Sequence, residues 1–419
     1  MAARDPAREA EGIARSSYGR LLAMLAARSG DIAAAEDALA DAFAAALVQW
    51  PREGVPHNPI GWLVTVARRR IGHGAARRRT AEAGAAVLAL LDDERATNAP
   101  DLYGDNRLAL MFVCTHPAIQ PEAQAPLMLQ TVLGLDAARI AAAFLVSSPT
   151  MSQRLVRAKR KIRDASIAFE VPPPDDVPAR IEGVLAAIYA AFGTAWEDVN
   201  GADDTLTGLT AEAIWLARLL HRLAPSDPEV QGLLALMLHC EARRDARRDA
   251  AGRFVPLNLQ DMARWSRPMI LDAEALLHAA ATAGRPGRYQ TEAAIQSLHA
   301  QQCLTGERLA APLVRLYDVL AAFAPTTGVL VARAAAYGEN GDITAGLRQL
   351  GAIGGAATYQ PWWAARARLC RLAGDDAAAW LAAQTAAGLT SDASVRRFLL
   401  DGGLRDEAAA GGRSPGSHD

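Results

Sequence analysis

At 419 residues the chain exceeds one usual domain and has material for two to four units with sizeable cores. Alanine dominates, aromatic residues make up 5% and β-branched runs are scarce, a balance that predicts an all-α fold. The formal charge of −2 suggests no general affinity for polyanions, yet residues 1–170 carry 21 basic side chains against 18 acidic ones, leaving 23 against 28 for the remainder.

The N-terminal stretch MAARDPAREAEG has no apolar core of the signal-peptide kind, and no run approaches about 18 uncharged apolar residues, so a cytoplasmic protein is expected. Helical periodicity begins near Ile13 and stops at Ser29-Gly30. Asp31 can cap a second helix, AAAEDALADAFAAALVQW, with Ile32, Leu39, Phe43 and Leu47 on one face and Glu36, Asp37 and Asp41 beside it. The segment PREGVPHNP holds three prolines and is expected as a loop of defined shape. A third helix starts at Ile60 as IGWLVTVARRR, and the two glycines of the following IGHGAARRR should weaken or stop it. Trp50 and Trp62 flank the proline loop beside this basic track, where rings can stack on unpaired bases or serve as core.

Residues 92–106, DDERATNAPDLYGDN, read as a linker. Periodicity resumes in RLALMFVCTHP, PEAQAPLMLQTVLGL, DAARIAAAFLV and SSPTMSQRLVRAKRKIR, and the last two, joined by a short turn, have the form of a helix-turn-helix. With Ser148 as N-cap, Met151, Leu155, Ala158 and Ile162 form one narrow apolar stripe. Gln153, Val156, Arg157, Arg160 and Arg163 lie opposite, with Ser152 and Lys159 at the margin and Arg154 and Lys161 on the other flank. Such a face offers an amide for adenine, arginines for guanine and a small apolar group for a thymine methyl. A charge run often marks only a solvated helix, but none of the usual interleaved acids occurs between Met151 and Ile162.

The run VPPPDDVP at 171–178 predicts a stiff spacer and a domain boundary. Beyond it, LLHRLAPSDPEVQGLLALM resembles VLAAFAPTTGVLVARAAAY one hundred residues later, the mark of stacked helix pairs. Arg243, Arg244, Arg247 and Arg248 alternate with Asp245 and Asp249, which suggests a self-compensated surface, and Trp362-Trp363 suggests packing or a groove. The tail AAAGGRSPGSHD should be disordered. The four cysteines are far apart, as free buried thiols would be, and no motif of hydrolase, metalloprotease or phosphate-loop chemistry occurs, so no cofactor, metal or catalysis is expected.

Three blocks, DIAAAEDALADAFAAAL, WPREGVPHNPIGWLVTVARRR and RLVRAKRKIR, in this order and with 83 residues between the second and third, resemble the bacterial extracytoplasmic-function (ECF) sigma factors. The likeness extends to the subgroup with a long tetratricopeptide-like (TPR-like) C-terminal extension. It implies a sigma region 2 helical domain at 1–91, a linker at 92–106, a sigma region 4 helix-turn-helix at 107–170, a proline-rich linker at 171–178, an α-solenoid of TPR-like helix pairs at 179–405 and a tail at 406–419. By the same likeness Glu36, Asp37 and Asp41 would dock on the β′ clamp helices of core RNA polymerase, whose β subunit is a further contact. Trp50, Asn58, Trp62, Arg68, Arg69 and Arg70 would read the −10 element of promoter DNA. Ser152, Gln153, Arg154, Val156, Arg157 and Arg160 would read the −35 element. The extension would take the regulatory place of a membrane anti-sigma factor, with a small DGPF-type protein as a regulatory partner. The sequence departs from the family pattern at Ile71-Gly72-His73-Gly74, where an Ile-Asp pair is common, and at Ser152-Gln153, where a basic residue is frequent. From the residues alone, a helix-turn-helix regulator with a peptide- or protein-binding solenoid and no polymerase docking stands as the alternative.

Overall fold

A computed structural model of the chain describes residues 5–79, 106–144, 146–173, 175–197 and 204–401. The expected linker at 92–106 up to its last residue, Asn106, the end of the first domain beyond residue 79 and the tail at 406–419 lie outside the described residues. The fold is all-α; among the described residues the only β pairing is an isolated bridge between Arg248 and Phe254. The chain divides into two compact units, Met1–Leu219 and Leu220–Asp419.

In the first unit, helix α1 (Pro6–Ser29) starts on the Asp5 cap and ends at left-handed Gly30. Asp31 then caps α2 (Ile32–Glu53), its carboxylate accepting from the Ala34 amide at 3.1 Å. The proline segment was expected as loop from Pro51, but α2 continues through Pro51 to Glu53: only the acceptor at Leu47 loses its bond, and Gly54 still donates to the Trp50 carbonyl. Likewise α3 (Pro59–Arg79) runs past Gly72 and Gly74 instead of stopping there. These helices pack on one another, with Leu21, Leu22, Leu25, Ile32, Leu39, Trp50 and Leu63 in the core.

Helix α4 (Arg107–Cys114) is buried along its whole length, against α1, α5 (Pro121–Thr131) and α8 (Val177–Glu197). Next come α6 (Ala137–Ala143) and the basic α7 (Ser148–Asp164), followed by α8 and α9 (Asp204–Leu223). The boundary between the units falls inside α9, and α8 packs on α4 and α5. Arg180 of α8 donates to the Phe112 carbonyl, while Arg107 of α4 pairs with Glu212 of α9 and sits 3.9 Å over the Trp215 ring.

The second unit is a succession of helices packed on near neighbours in the chain: α10 (Pro228–Glu241), α11 (Arg267–Thr282), α12 (Arg288–Thr305), α13 (Ala310–Phe323), α14 (Thr327–Glu339), α15 (Ile343–Gly351), α16 (Gln360–Leu372), α17 (Asp376–Gly388) and α18 (Ala393–Leu400). The two similar sequence segments open α10 and α14 the same way, after an Ala-Pro stop and with Asp227 and Thr326 as caps. Trp362 and Trp363 meet edge to face at 4.8 Å and each indole donates to a backbone carbonyl, so packing claims both rings. The arginine row is not compensated by its own aspartates, as its sequence suggests. Arg244 pairs with Glu241, Arg243 donates to Gln296, and Arg248 reaches Asp392 at 2.7 Å, while Asp245 stays exposed.

Candidate nucleic-acid interface

The basic helix α7 is placed by two caps. Asp136 opens α6 by accepting from the Ala138 and Arg139 amides, both at 2.9 Å. Ser147, and not the neighbouring Ser148, caps α7 by accepting from the Thr150 amide at 3.3 Å, because one residue earlier in the chain is the position with extended backbone. The stripe of Met151, Leu155, Ala158 and Ile162 is buried, and α7 packs through it on α5 and α6.

Around that stripe α7 presents three different sides. Ser152, Gln153, Val156 and Arg160 are exposed, Val156 at 65%, an apolar side chain held in solvent between polar ones. On one flank Arg154, Arg157 and Lys161 line a cleft of about 590 Å³ whose other wall is Ala118, Ile119, Gln120, Glu122 and Ala123, at the start of α5. Three cations against one acid give this cleft a positive potential that suits a phosphate. On the opposite flank the helix faces α2: Lys159 pairs with Glu36, and Arg163 lies 3.9 Å from the Asp31 carboxylate and 3.3 Å from Asp164. Arg163, expected on the outward face, therefore leans to the α2 side.

The Lys159–Glu36 pair is largely buried, with side-chain exposures of 10% and 18%. Burial raises the Glu36 carboxyl above its usual range, and Lys159 pulls it back down. Cys114 beside the pair is pushed up to about 12, chiefly by burial, and burial together with Glu36 raises the Tyr18 hydroxyl.

The acidic helix α2 separates its three expected polymerase contacts. Asp37 and Asp41 are exposed, whereas Glu36 is turned to α7; Asp41 also approaches Arg70 at 3.7 Å. Among the residues expected at the −10 element, Trp50 is corrected to a core side chain: it is 2% exposed, with its indole nitrogen buried. Its edge-to-face contact with half-buried Trp62, ring centres 5.6 Å apart, supports that second ring from beneath. Asn58 caps α3, its side-chain oxygen accepting from the Gly61 amide at 2.9 Å. Arg69 and Arg70 are exposed and Arg68 is half-buried.

The packing of α1 on the α5–α6 corner had no signal in the sequence. A β-carbon at Gly19 would lie 1.7 Å from the Val132 carbonyl oxygen, and Gly134, at φ +70°, accepts the Tyr18 ring in the same place. All four cysteines are free thiols. Among the described residues no group of three or more His, Cys, Asp and Glu is arranged to hold a metal, and no helix is long and apolar enough to cross a membrane.

A family of unknown function, DUF6596, matches residues 180–281, from the start of α8 into α11. A protein of Rhizobium meliloti (strain 1021), "Uncharacterized protein R00370", is 38% identical over 327 residues, covering 76% of this chain and 77% of its own. No solved structure matches.

Proposed function

The chain belongs to one family with the Rhizobium meliloti (strain 1021) protein, and for it we propose the work of a sigma factor, binding core RNA polymerase and directing transcription initiation at particular promoters. The observation that carries this reading is α7: a capped helix after a short partner helix, with exposed Ser152, Gln153, Val156 and Arg160 and a cationic cleft along one flank. The first four side chains would read base edges of the −35 element, and Arg154, Arg157 and Lys161 would hold the backbone. The helices α1–α3 would form the region 2-like part, with Asp37 and Asp41 on the clamp and Trp62, Arg69 and Arg70 on the melted −10 strand. The helices α4–α7 would form the region 4-like part. The helices from α8 onward would be the TPR-like extension that modulates activity, and the setting would be the cytoplasm, with the small DGPF-type protein as a regulatory partner.

One observation favours the second reading, a DNA-binding regulator without polymerase: Glu36 faces α7 and not solvent. Pull-down of core polymerase by the purified full chain separates the two. Run-off transcription with core enzyme and genomic fragments then identifies the promoter. A sigma factor binds core and initiates from a discrete set of sites; binding to DNA without any association with core establishes the regulator instead.

A further inference from the structure

Four arginines, Arg243, Arg244, Arg247 and Arg248, stand within six residues just past α10. Arg244 has the Glu241 carboxylate at 2.7 Å, and Arg248 has that of Asp392 at 2.7 Å. Arg243 differs: it donates from Nη2 to the neutral amide of Gln296 and, at 3.9 Å, to the Cys240 sulfur, and among the described residues no carboxylate pairs with it. The nearby acids are engaged elsewhere. Glu274 accepts from Ser297 at 2.6 Å, Glu292 faces Arg288 at 2.8 Å and Glu339 faces Arg368 at 3.0 Å. Arg247 is pushed down to about 10, by burial first and then by Arg243 and the other two arginines, the response of a guanidinium in a field of like charge.

The Arg243 guanidinium lies in a recess. Its charge is felt by His239 of α10, by His299 and Cys303 of α12 and by Tyr317 of α13, so three helices surround it. Burial is the larger influence on each of these groups, pushing the His299 ring down to about 4 and the Tyr317 hydroxyl up to about 12. Yet Arg243, Gln296, His299 and Tyr317 all keep part of their surface in solvent. Groups that are strongly desolvated and still half-buried line a concavity. The chain that follows is tied down: Phe254 meets the Phe398 ring of α18 at 5.3 Å and donates its amide to Ser394, and Trp265 packs with Ala246 and Ala300. Arg243 thus stands on backbone held from both sides, as a preformed recognition group requires. A half-buried cation without a counter-charge is a standing cost to the fold, which an arriving anion removes. The planar fork matches a carboxylate with two parallel N–H donors, and its one positive charge matches one negative charge.

We propose that this recess of the second unit binds a small organic carboxylate, with the Arg243 fork as its anchor and Gln296, His299 and Tyr317 as the polar groups around it. The site lies wholly in the second unit, on helices other than those proposed to meet DNA and polymerase. It stands whether or not the chain is a sigma factor.

The test uses the full chain in thermal melts and titration calorimetry, with acetate, succinate and citrate as probes and with inorganic phosphate and chloride at equal ionic strength. At a concentration about a hundredfold above its Kd, at least one carboxylate should raise the melting temperature by about 5 to 10 °C, and chloride should not. Arg243→Gln should abolish that rise and leave the carboxylate-free melting temperature unchanged or higher, because it removes an uncompensated charge. Arg243→Lys keeps the charge and loses the fork, so its affinity should fall about tenfold or more. Exposed Arg253, paired with Asp249, is the control, and Arg253→Gln should bind as the unaltered chain does. Absence of any carboxylate binding, a response to phosphate alone, or a response that persists in both Arg243 variants overturns the proposal. A lower carboxylate-free melting temperature in Arg243→Gln together with unchanged binding by Arg243→Lys marks a purely structural arginine, and overturns it as well.

Discussion

Trp50 and Trp62 touch, yet they sit in different physical environments. Trp50 is enclosed by the α1–α3 core, so Trp50→Ala should cost about 3–5 kcal/mol of stability, read from the urea midpoint. Trp62 is only half-buried, and its replacement should leave most of the stability in place. Its loss should instead weaken binding to single-stranded −10 DNA by about 1–3 kcal/mol in a titration with labelled oligonucleotide. Equal effects on both assays would remove the distinction between the two rings. At Arg157, substitution by alanine should lower −35-dependent binding by about 1–3 kcal/mol in promoter titrations. Its place in the cationic cleft makes a uniform loss across promoter sequences the expected form, in contrast to a sequence-specific loss at Gln153. The two tryptophans and the arginines were visible as candidates in the sequence. Which of them faced solvent was not, because a 3.6-residue period shows sides of a helix and not what packs against each side.

At the scale of elements, the caps were the most legible feature: Gly30, Asp31 and the Ala-Pro stops before α10 and α14 all bound helices as their chemistry dictates. The errors came from applying local penalties as absolute rules. Pro51 near the end of α2 forfeits one hydrogen bond, and Gly72 and Gly74 reduce the propensity of α3 without ending it. Partners distant in sequence were beyond reach, such as Asp392 for Arg248 or Glu36 for Lys159. The helices α10 and α12 add a titration that no pattern announces. His239 and His299 are both lowered from 6.5 to about 4, by burial above all; Glu274 beside His239 acts in the opposite sense, and Arg243 adds to the lowering at both. The neutral ring is favoured in the fold, and the unfolded chain takes up a proton at about 6.5. Stability from this source is complete above about pH 6.5 and is lost as pH falls toward 4, on the order of 3 kcal/mol for each histidine. The urea midpoint should decline over that window, and His239→Gln with His299→Gln should flatten the decline. A slope unchanged in the double variant would assign it to carboxylates.

Across the whole molecule, the division between units falls inside α9, whereas the expected boundary at 171–178 lies between α7 and the first residues of α8. A run of prolines is a local stiffness signal, and it carries no information on whether the next helix packs back on the preceding ones. Here α8 does so: Arg180 is bonded to the Phe112 carbonyl, and Gly183 is pressed against Thr115 and Gln124. From α9, Glu212 and Trp215 cover the buried Arg107 guanidinium. A chain cut after residue 170 therefore strands Arg107 and uncovers the apolar faces of α4 and α5, at a cost of about 5 kcal/mol or more. A chain cut after Ala224, beyond the end of α9, keeps these contacts. Thermal melts should place residues 1–224 well above residues 1–170, with Glu212→Ala in the longer fragment losing about 3–5 kcal/mol of the difference. Only the longer fragment then gives a fair measure of regulation. Its run-off transcription, compared with the full chain at equal occupancy of core polymerase, should differ strongly if the second unit controls activity. Equal transcription by the two would take the regulatory role away from residues 225–419.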